Sequence, residues 1–337
     1  MTLAELEQFR DILTERREGL REWLMINESE YAGGAEKVRT LLNEIKDALQ
    51  HVEAGDFGLC TVCKGEIELQ RLETQPVATV CLECITEAER NLLAEELTLA
   101  GKIHRALLPQ RVEKIDGFEM AVHSVAAGVV GGDYYDFLPA TGGGLTRVII
   151  ADAMGKGIPA GMVMSNLQGA LRVIAEETDS PARLISRVNH WLCRNLPVPK
   201  FISLACVGLG STAGKETKIV HANAGHCAPV LVRGDGSMES FDATGTVIGV
   251  HEDFAYEECS TAMHPGDILF FYTDGVTEAE NPKGEMFETE RLTDLVRTMR
   301  RRPMAELVGG VLGELQSFTG RLEFDDDLTV IALRKTG

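Results

Sequence analysis

This sequence shows neither the pattern of a membrane span nor that of a secretory signal, and it has no excess of basic residues. No run of about eighteen apolar residues occurs, so we expect no helix that spans a membrane. The first residues, Met1 to Glu5, lack the basic and apolar regions of a signal peptide, which favours a cytoplasmic protein. Lysine and arginine number 33 against 52 aspartate and glutamate residues, a formal net charge of −19. That charge argues against a nucleic-acid-binding surface spread over the whole chain.

The eight cysteines lack the pattern of a disulfide framework and fit a reducing cytoplasm. Four of them form two CxxC pairs, Cys60 with Cys63 and Cys81 with Cys84. Two such pairs can close a tetrahedron of thiolates around one zinc ion, so the sequence predicts a closed, structural Zn²⁺ site without an open coordination position. The other cysteines stand singly in apolar surroundings, where we expect small buried side chains. They are Cys193, Cys206, Cys227 and Cys259.

Apolar residues at helical spacing predict three helices in the first third of the chain. Two of them, separated by Gly33 and Gly34, are expected to pack as an antiparallel hairpin, and the second has the spacing of a coiled-coil seam. A third, amphipathic helix runs from Ile85 to Leu108 and stops before Pro109. Its apolar stripe has to be buried against its own domain or against a second chain. Of these alternatives we expect the second, a homodimer formed through this helix.

Acidic side chains stand at the edges of four predicted strands in the rest of the chain. These clusters contain Asp133 with Asp136, then Asp152, Asp274, and Asp325 to Asp327. One aspartate at a strand end is ordinary turn chemistry, but the repetition indicates a common site. No Cys/His pair in this region has zinc-ligand spacing, and carboxylate oxygens suit Mg²⁺ or Mn²⁺.

Strand candidates in this region lie close together along the chain, after two predicted helices at Ile158 to Glu176 and Ser180 to Asn195. The candidates are residues 202–210, 217–222, 228–233, 254–260 and 267–272. Several of their connections are too short for crossover helices, so antiparallel hairpins are favoured. The expected fold class is α+β, with sheet packed on sheet and helices outside.

Five motifs in a fixed order carry a family resemblance. They are GGDYYDF, the DAMGKG turn, NAGH, YTDGVTEA and DDDLTVIAL, and they span about residues 117 to 335. In this order they resemble the PPM-type metal-dependent serine/threonine phosphatases, in particular the bacterial SpoIIE-like (RsbU-type) branch. The resemblance implies the αββα-type sandwich of that family. The segment around the two CxxC pairs, with the helical hairpin before it, resembles a TraR/DksA-type zinc finger.

The resemblance also implies a centre of two Mn²⁺ or Mg²⁺ ions. Asp152 would bridge them, beside the main-chain carbonyl of Ala153. Of the three consecutive aspartates the resemblance selects Asp326, because the family's ligand lies three residues before a threonine, here Thr329. Asp136 is expected to be a structural or outer acid. The full set of implied ligands is Asp133, Asp152, Ala153, Asp274 and Asp326.

With two cations and no nucleophilic side chain, the implied reaction is direct attack of an activated water on phosphoserine or phosphothreonine, without a phosphoenzyme. His226 is open to two interpretations, a general acid or a turn residue. Lys156 is either a phosphate ligand or a solvated side chain. The helix that starts at Ile158 follows Asp152 closely, so its movement would give residues 1–110 a route to regulate metal occupancy.

The expected function is that of a regulated bacterial protein phosphatase. By resemblance, its substrate is a phosphorylated STAS-domain anti-sigma-factor antagonist in stress or developmental regulation. One alternative is a transcription-associated protein that binds RNA polymerase through the hairpin and zinc finger. The hairpin tip, with Glu28 and Glu30, lacks the acidic motif of the polymerase-binding members, and the carboxylate set is complete, so we do not favour it. The other alternative, a two-metal phosphohydrolase that acts on small molecules, stays open.

The predicted organisation has four parts. A helical hairpin (1–56) precedes a zinc finger (57–86), an amphipathic linker helix (87–110) and the phosphatase domain (111–337). The first three parts are expected to regulate the fourth or to join two chains. No membrane partner is expected.

Overall fold

The computed structural model describes residues 3–27, 32–85, 87–110, 114–140, 144–196, 200–210 and 216–336. The chain divides into two compact units, Met1–Glu96 and Leu97–Gly337. None of the helices in the described ranges is long and apolar enough to span a membrane. The expected cytoplasmic location and the four-part division of the chain stay predictions.

The first unit begins with two long helices, α1 at Leu3–Asn27 and α2 at Ala32–Ala54. They pack against each other through buried apolar side chains, and the same cluster continues into the turns after α2. The ring centroids of Phe9 and Phe57 lie 5.5 Å apart in this cluster. Its other members in the helices include Leu13, Ile45, Leu49 and Val52. The N-terminal helices predicted from the sequence are therefore confirmed.

The connection between α1 and α2 differs from the sequence prediction. Helix α2 begins at Ala32, so Gly33 and Gly34 lie in its first turn rather than between the helices. The first turn of a helix tolerates glycine because its N–H groups make no hydrogen bond within the helix that could be weakened. The tip residues Glu28 and Glu30 lie outside the described residues.

Tight turns around one short helix, α3 at Leu69–Thr74, follow α2. Two backbone hydrogen bonds of 2.8 Å, from Cys60 N to the Gly65 carbonyl and from Thr61 N to the Thr79 carbonyl, close these turns. The long helix α4 comes next at Glu87–Leu107, close to the span predicted for the amphipathic helix. The boundary between the two compact units falls inside α4.

The second unit is built on two sheets. Their strands are β1 (Phe118–Val125), β2 (Asp133–Leu138), β3 (Thr146–Ala153), β4 (Ile202–Leu209), β5 (Thr217–Ala224), β6 (Val230–Val232), β7 (Met238–Ser240), β8 (Cys259–Met263), β9 (Ile268–Tyr272) and β10 (Leu328–Lys335). One sheet has the order β1-β10-β9-β6-β7 and the other the order β2-β3-β4-β5-β8. Neighbouring strands pair antiparallel in both, as the short connections predict.

Helices cover the outer face of each sheet. Helices α5 (Gly157–Ile174) and α6 (Pro181–Asn195) share an apolar cluster with β2 to β5. After the single turn α7 (Asp274–Thr277), helices α8 (Thr289–Met299) and α9 (Met304–Thr319) share another cluster with β6, β9 and β10. A third cluster lies between the two sheets. This arrangement is the αββα sandwich, so the predicted α+β fold class is confirmed.

Strand β3 shows how the sequence assigns its residues to these layers. Side chains alternate between the two faces of a strand. Ile149 and Ala151 pack against the helices, whereas Val148 and Ile150 pack against the opposite sheet. The same alternation decides which way the polar residues at the ends of the strands point.

The predicted boundaries agree with the structure for the two helices but not for one strand. Ser180 caps α6, since its Oγ accepts a hydrogen bond from Arg183 N at 3.2 Å. The strand predicted at 254–260 is wrong, because β8 begins only at its end. The rings of Phe254 and Tyr256, 4.9 Å apart, pack against the cluster beneath α5 and α6 instead of pairing in the sheet.

Candidate active site

Three polar side chains form a row across β2, β3 and β4. Asp133 lies directly opposite Asp152, and Asp152 lies opposite Ser203. Ile150 and Ala205, two positions further along β3 and β4, face the layer between the sheets, so Asp152 and Ser203 face that layer too. The same alternation applies to Asp133. The row therefore marks one edge of the layer between the two sheets.

Asp133 is the buried end of this row, with 5% of its surface exposed. Its Oδ2 accepts hydrogen bonds from Thr273 Oγ1 at 2.8 Å and from Thr329 Oγ1 at 2.7 Å; Thr329 lies in β10 of the opposite sheet and Thr273 directly follows β9. Burial raises the pKa of Asp133, and the two hydroxyl donors oppose that rise. The threonines thus fix the direction of this carboxylate. Sequence reasoning missed their role, and the only signal for it is their place inside two of the acidic motifs.

The carboxylates of the site repel one another. Burial, together with the charges of Asp274 and Asp326, raises the pKa of Asp152 to about 7. Burial and the charge of Asp326 also raise the pKa of Asp274. Divalent cations relieve such repulsion, and carboxylate oxygens are the ligands that Mg²⁺ and Mn²⁺ take. The donor set therefore fits the metal ions that the sequence predicts.

Two of the three consecutive aspartates have different partners. Asp327 is buried, and its two oxygens accept hydrogen bonds from Ala127 N at 2.8 Å and Gly132 N at 2.6 Å. Asp326 is half exposed and places its Oδ2 2.9 Å from the ammonium group of Lys156. Both oxygens of Asp327 thus accept backbone hydrogen bonds, whereas Asp326 accepts one from Asp327 N at 2.9 Å and turns its other oxygen to an exposed lysine, whose place a metal ion can take. These contacts favour Asp326 as the ligand.

Gly132 and Gly275 allow the backbone to approach the acidic residues closely. A Cβ at Gly132 would lie 2.6 Å from the carbonyl oxygen of Ala153 and 3.1 Å from Asp152 Oδ1. A Cβ at Gly275 would overlap the carbonyl oxygen of Asp327. A larger residue at either position would displace these groups. Gly132 therefore leaves room for the Ala153 carbonyl, a predicted ligand, and Gly275 leaves room for the Asp327 carbonyl.

Asp136 lies on the other face of β2, away from the row. Its carboxylate accepts hydrogen bonds from Tyr134 Oη at 2.6 Å, Phe137 N at 2.8 Å and Arg172 of α5 at 2.8 Å. Burial raises the pKa of Asp136. The contacts fit the structural role expected from the sequence, in which this acid ties β2 to α5.

His226 is buried, with 6% of its surface exposed, and its Nδ1 lies 2.8 Å from Ser203 Oγ. Burial lowers the pKa of His226 to about 4, so the ring is neutral near pH 7. A neutral imidazole is too weak an acid to protonate a leaving group at that pH. Gly225 before it has a φ of 69°, which is the left-handed conformation of a turn. These features favour the turn interpretation of His226 over the general acid.

The four cysteines of the CxxC pairs come together in the first unit. Their Sγ atoms all lie within 4.8 Å of one another, and Cys63 Sγ is 3.7 Å from Cys81 Sγ. A tetrahedron with Zn–S bonds of about 2.3 Å has edges of about 3.8 Å, so the cluster fits one zinc ion. In the described ranges, no other three Cys, His, Asp or Glu side chains gather their ligand atoms this closely. The active-site carboxylates are therefore spaced more widely than these thiols.

Residues 142–336 match the family Stage II sporulation protein E (SpoIIE), and residues 55–90 match the prokaryotic dksA/traR C4-type zinc finger. Phosphoserine phosphatase RsbU of Bacillus subtilis (strain 168) is 26% identical over 246 residues, which are 72% of this chain and 71% of RsbU. The RNA polymerase-binding transcription factor DksA of Escherichia coli (strain K12) is 43% identical over 54 residues, which are 16% of this chain and 36% of DksA. The likeness to DksA is thus limited to a small part of both chains.

A solved structure supports the fold. The SiaA-PP2C domain of Pseudomonas aeruginosa matches with a TM-score of 0.65 and 21% sequence identity, over 74% of this chain and 99% of that domain. The SpoIIE match extends over more than half of the chain. The resemblances predicted from the motifs and from the CxxC pairs are both confirmed. This chain belongs to the Stage II sporulation protein E (SpoIIE) family of PPM-type phosphatases and carries in addition a dksA/traR C4-type zinc finger.

Proposed function

We propose that the protein is a metal-dependent phosphatase that removes the phosphoryl group from phosphoserine or phosphothreonine of a regulatory protein. The observation that carries this proposal is the carboxylate set around Asp152, whose pKa is raised to about 7 by burial and by the charges of Asp274 and Asp326. Such a set needs cations to offset its charge. The likeness to RsbU, a phosphoserine phosphatase, supports the substrate chemistry.

In this proposal, some residues bind the metal ions and others hold those ligands in position. The groups that would hold two Mn²⁺ or Mg²⁺ ions are the carboxylates of Asp133, Asp152, Asp274 and Asp326 and the carbonyl of Ala153. When bound, the ions supply an activated water as nucleophile and neutralise charge on the phosphoryl oxygens. Thr273 and Thr329 orient the Asp133 carboxylate through their hydroxyl groups. Asp327 holds the backbone at Gly132 through the N–H group of that residue.

We further propose that the substrate is a phosphorylated STAS-domain antagonist of an anti-sigma factor, as the sequence resemblance implies. The SpoIIE match and the likeness to RsbU support a regulatory phosphoprotein as substrate. RNA polymerase binding is not proposed, because the likeness to DksA extends over 54 residues only.

Full-length protein freed of divalent metal is expected to release phosphate only after Mn²⁺ or Mg²⁺ is added, because the carboxylates need cations before they can bind a phosphoryl group. The measurement is phosphate release against metal concentration, with a phosphorylated STAS-domain protein, a phosphoserine peptide and p-nitrophenyl phosphate compared by kcat/KM. Undiminished activity in EDTA would contradict the two-metal proposal. A higher kcat/KM for small phosphate esters than for the phosphoprotein would favour the small-molecule phosphohydrolase.

Helix α4 carries apolar side chains on more than one face. Gly101 and His104 are buried in the second unit. Leu99 and Ile103 are exposed, and their spacing of four residues places them on one stripe of the helix. We propose that this exposed stripe pairs with the same stripe of a second chain. The proposed homodimer then leaves the buried face of α4 in place within its own unit.

Replacing Leu99 and Ile103 together by glutamate is expected to convert the dimer to a monomer at micromolar concentration, because paired stripes would bury four carboxylates. Sedimentation velocity measures the change, and Lys102→Glu is the control that places a glutamate elsewhere on the same exposed helix. A wild-type protein that sediments as a monomer would contradict the proposal.

We also propose that pairing regulates the site, since His104 Nε2 lies 3.0 Å from the Gly131 carbonyl oxygen, close to Asp133. The monomeric variant is therefore expected to need more Mn²⁺ for half-maximal activity.

A further inference from the structure

Ser203 is the member of the row to which neither the sequence motifs nor the metal proposal assigns a role. It lies opposite Asp152, is half-buried and faces the layer between the sheets. Side chains directly opposite each other in an antiparallel pair have Cβ atoms about 4.5–5.5 Å apart. The side chain of Ser203 therefore lies beside that of Asp152, one of the carboxylates that the proposed metal centre needs.

A buried asparagine fixes the loop that contacts Ser203. Asn223 Oδ1 accepts a hydrogen bond from His226 N at 2.8 Å, and Asn223 Nδ2 donates to the carbonyls of His226 and Phe241, each at 3.0 Å. Asn223 itself is 1% exposed. With the backbone of His226 held in this way, its Nδ1 lies 2.8 Å from Ser203 Oγ. The NAGH motif thus presents an imidazole to a hydroxyl group of the row.

A phosphoryl group has oxygens that accept hydrogen bonds, so a site that binds it has to supply donors. Carboxylates that hold metal ions are ionised, so Asp133 and Asp152 would offer a phosphoryl group no hydrogen-bond donor. In the tautomer of the neutral ring that carries its single proton on Nδ1, His226 donates a hydrogen bond to Ser203 Oγ. The O–H of Ser203 is then left to donate into the site. Within the row, Ser203 supplies the donor that the carboxylates cannot.

We propose that Ser203 donates a hydrogen bond to the phosphoryl group of the substrate and that His226 is a positioning residue that acts through Ser203. This inference deepens the proposed function and rests on it. The Ser203 hydroxyl keeps its proton and forms no covalent bond. His226, an open alternative in the sequence, acquires a role that needs neither a protonated ring nor contact with the substrate.

The test uses the full-length protein with Ser203→Ala, Ser203→Thr and Ser260→Ala, an exposed serine of β8 in the same sheet, as matched control. Ser203→Ala is expected to lower kcat for Mn²⁺-dependent hydrolysis of p-nitrophenyl phosphate by about tenfold or more, since loss of one enclosed donor to developing charge costs about 10²–10³. Ser203→Thr keeps a hydroxyl group and is expected to recover part of the activity that Ser203→Ala loses, whereas Ser260→Ala is expected within about twofold of wild type. The rise in Tm on adding Mn²⁺ is expected to be equal in all, which separates Ser203 from metal binding.

The role of His226 is tested through its dependence on Ser203. His226→Phe keeps a ring but removes the hydrogen bond, and it is expected to lower kcat to the level of Ser203→Ala. The double variant is expected to lose no more than either single one, because the two residues act through one hydroxyl. His226→Gln retains a side-chain donor and is expected to recover part of the activity. Losses that multiply in the double variant would overturn the positioning role, and a Ser203→Ala kcat within about twofold of wild type would overturn the whole proposal.

A second measurement distinguishes failure of this inference from failure of the proposed function. It is the binding of inorganic phosphate to the Mn²⁺-loaded protein, followed by isothermal titration calorimetry. A wild-type protein without Mn²⁺-dependent turnover would refute the proposed function. Phosphate bound about tenfold more weakly by Ser203→Ala would still support Ser203 as a phosphoryl ligand in that case, as expected for a lost hydrogen bond to a charged group. Equal phosphate affinities of wild type and Ser203→Ala, or no binding by wild type, would overturn the inference.

Discussion

Asp152→Asn is expected to reduce Mn²⁺-dependent phosphate release by more than about 100-fold, because the loss of an outer partner of a metal ligand already costs about 10- to 100-fold. In the metal-free protein the same change is expected to raise Tm, since it removes one of the charges that repel Asp274 and Asp326. A gain of about 1 kcal/mol corresponds to about 2–4 °C in a unit of this size. Opposite effects on metal-free stability and on activity identify a metal ligand. Metal titrations followed by activity and by thermal unfolding measure both.

Two neighbouring aspartates serve as comparisons in the same assays. Asp326→Asn is expected to behave like Asp152→Asn. Asp327→Asn turns an amide group towards the N–H of Ala127 or Gly132, and it is expected to lower the free energy of unfolding by about 1–3 kcal/mol in urea. An unchanged Mn²⁺ requirement in Asp152→Asn would contradict the bridging role. If Asp327 rather than Asp326 sets the Mn²⁺ requirement without loss of stability, the ligand assignment is wrong.

Cys81→Ser is expected to release the zinc ion and unfold the segment between α2 and α4. Structural zinc supplies about 10–16 kcal/mol of binding free energy in zinc-finger peptides, as much as the entire net stability of many domains. Cys81 and Cys60 are also buried in the apolar cluster of the first unit, so loss of the ion disturbs the packing around α1 and α2. Zinc content and limited proteolysis of the full-length protein measure this effect.

The control for the zinc prediction is Cys259→Ser, which changes an exposed cysteine of β8 in the second unit. The sequence expectation that all four single cysteines are buried was wrong here, because β8 is an edge strand, and of the four only Cys206 is buried. This variant is expected to keep one zinc ion per chain and the proteolytic pattern of wild type. A Cys81→Ser protein that has lost its zinc but resists proteolysis between α2 and α4 as wild type does would show that the ion is not structural.

The fold and the carboxylate set could be predicted from the sequence because the patterns that indicate them each lie within a short stretch of the chain. Each predicted ligand belongs to a short motif at the end of a strand, and alternation along β2 and β3 places Asp133 and Asp152 on one face. The zinc site was equally accessible, since the spacing of two CxxC pairs is itself the constraint. The metal-ligand assignments remain predictions until the metal titrations are made.

Contacts between strands that are distant along the chain could not be predicted in this way. The hydroxyl groups of Thr273 and Thr329 that hold Asp133 lie 140 and 196 residues further along the chain. No periodicity in the sequence connects such positions, and only the packing of sheet on sheet brings them together. The contact of His226 with Ser203 escaped the sequence analysis for the same reason. The strand expected at 254–260 was wrong because apolar spacing does not distinguish a paired strand from a segment whose rings pack on the core.

The hydrogen bond from Thr329 to Asp133 also has a consequence for folding during synthesis of the chain. Strand β2 can pair with β3 soon after both leave the ribosome, but the hydroxyl group of Thr329 arrives only 196 residues after Asp133. Such long-range pairing is slow, because a large loop must close before the contact forms. The hydroxyl group that orients Asp133 is therefore absent until the chain has been synthesised almost to its end. Orientation of this carboxylate thus requires both sheets of the sandwich.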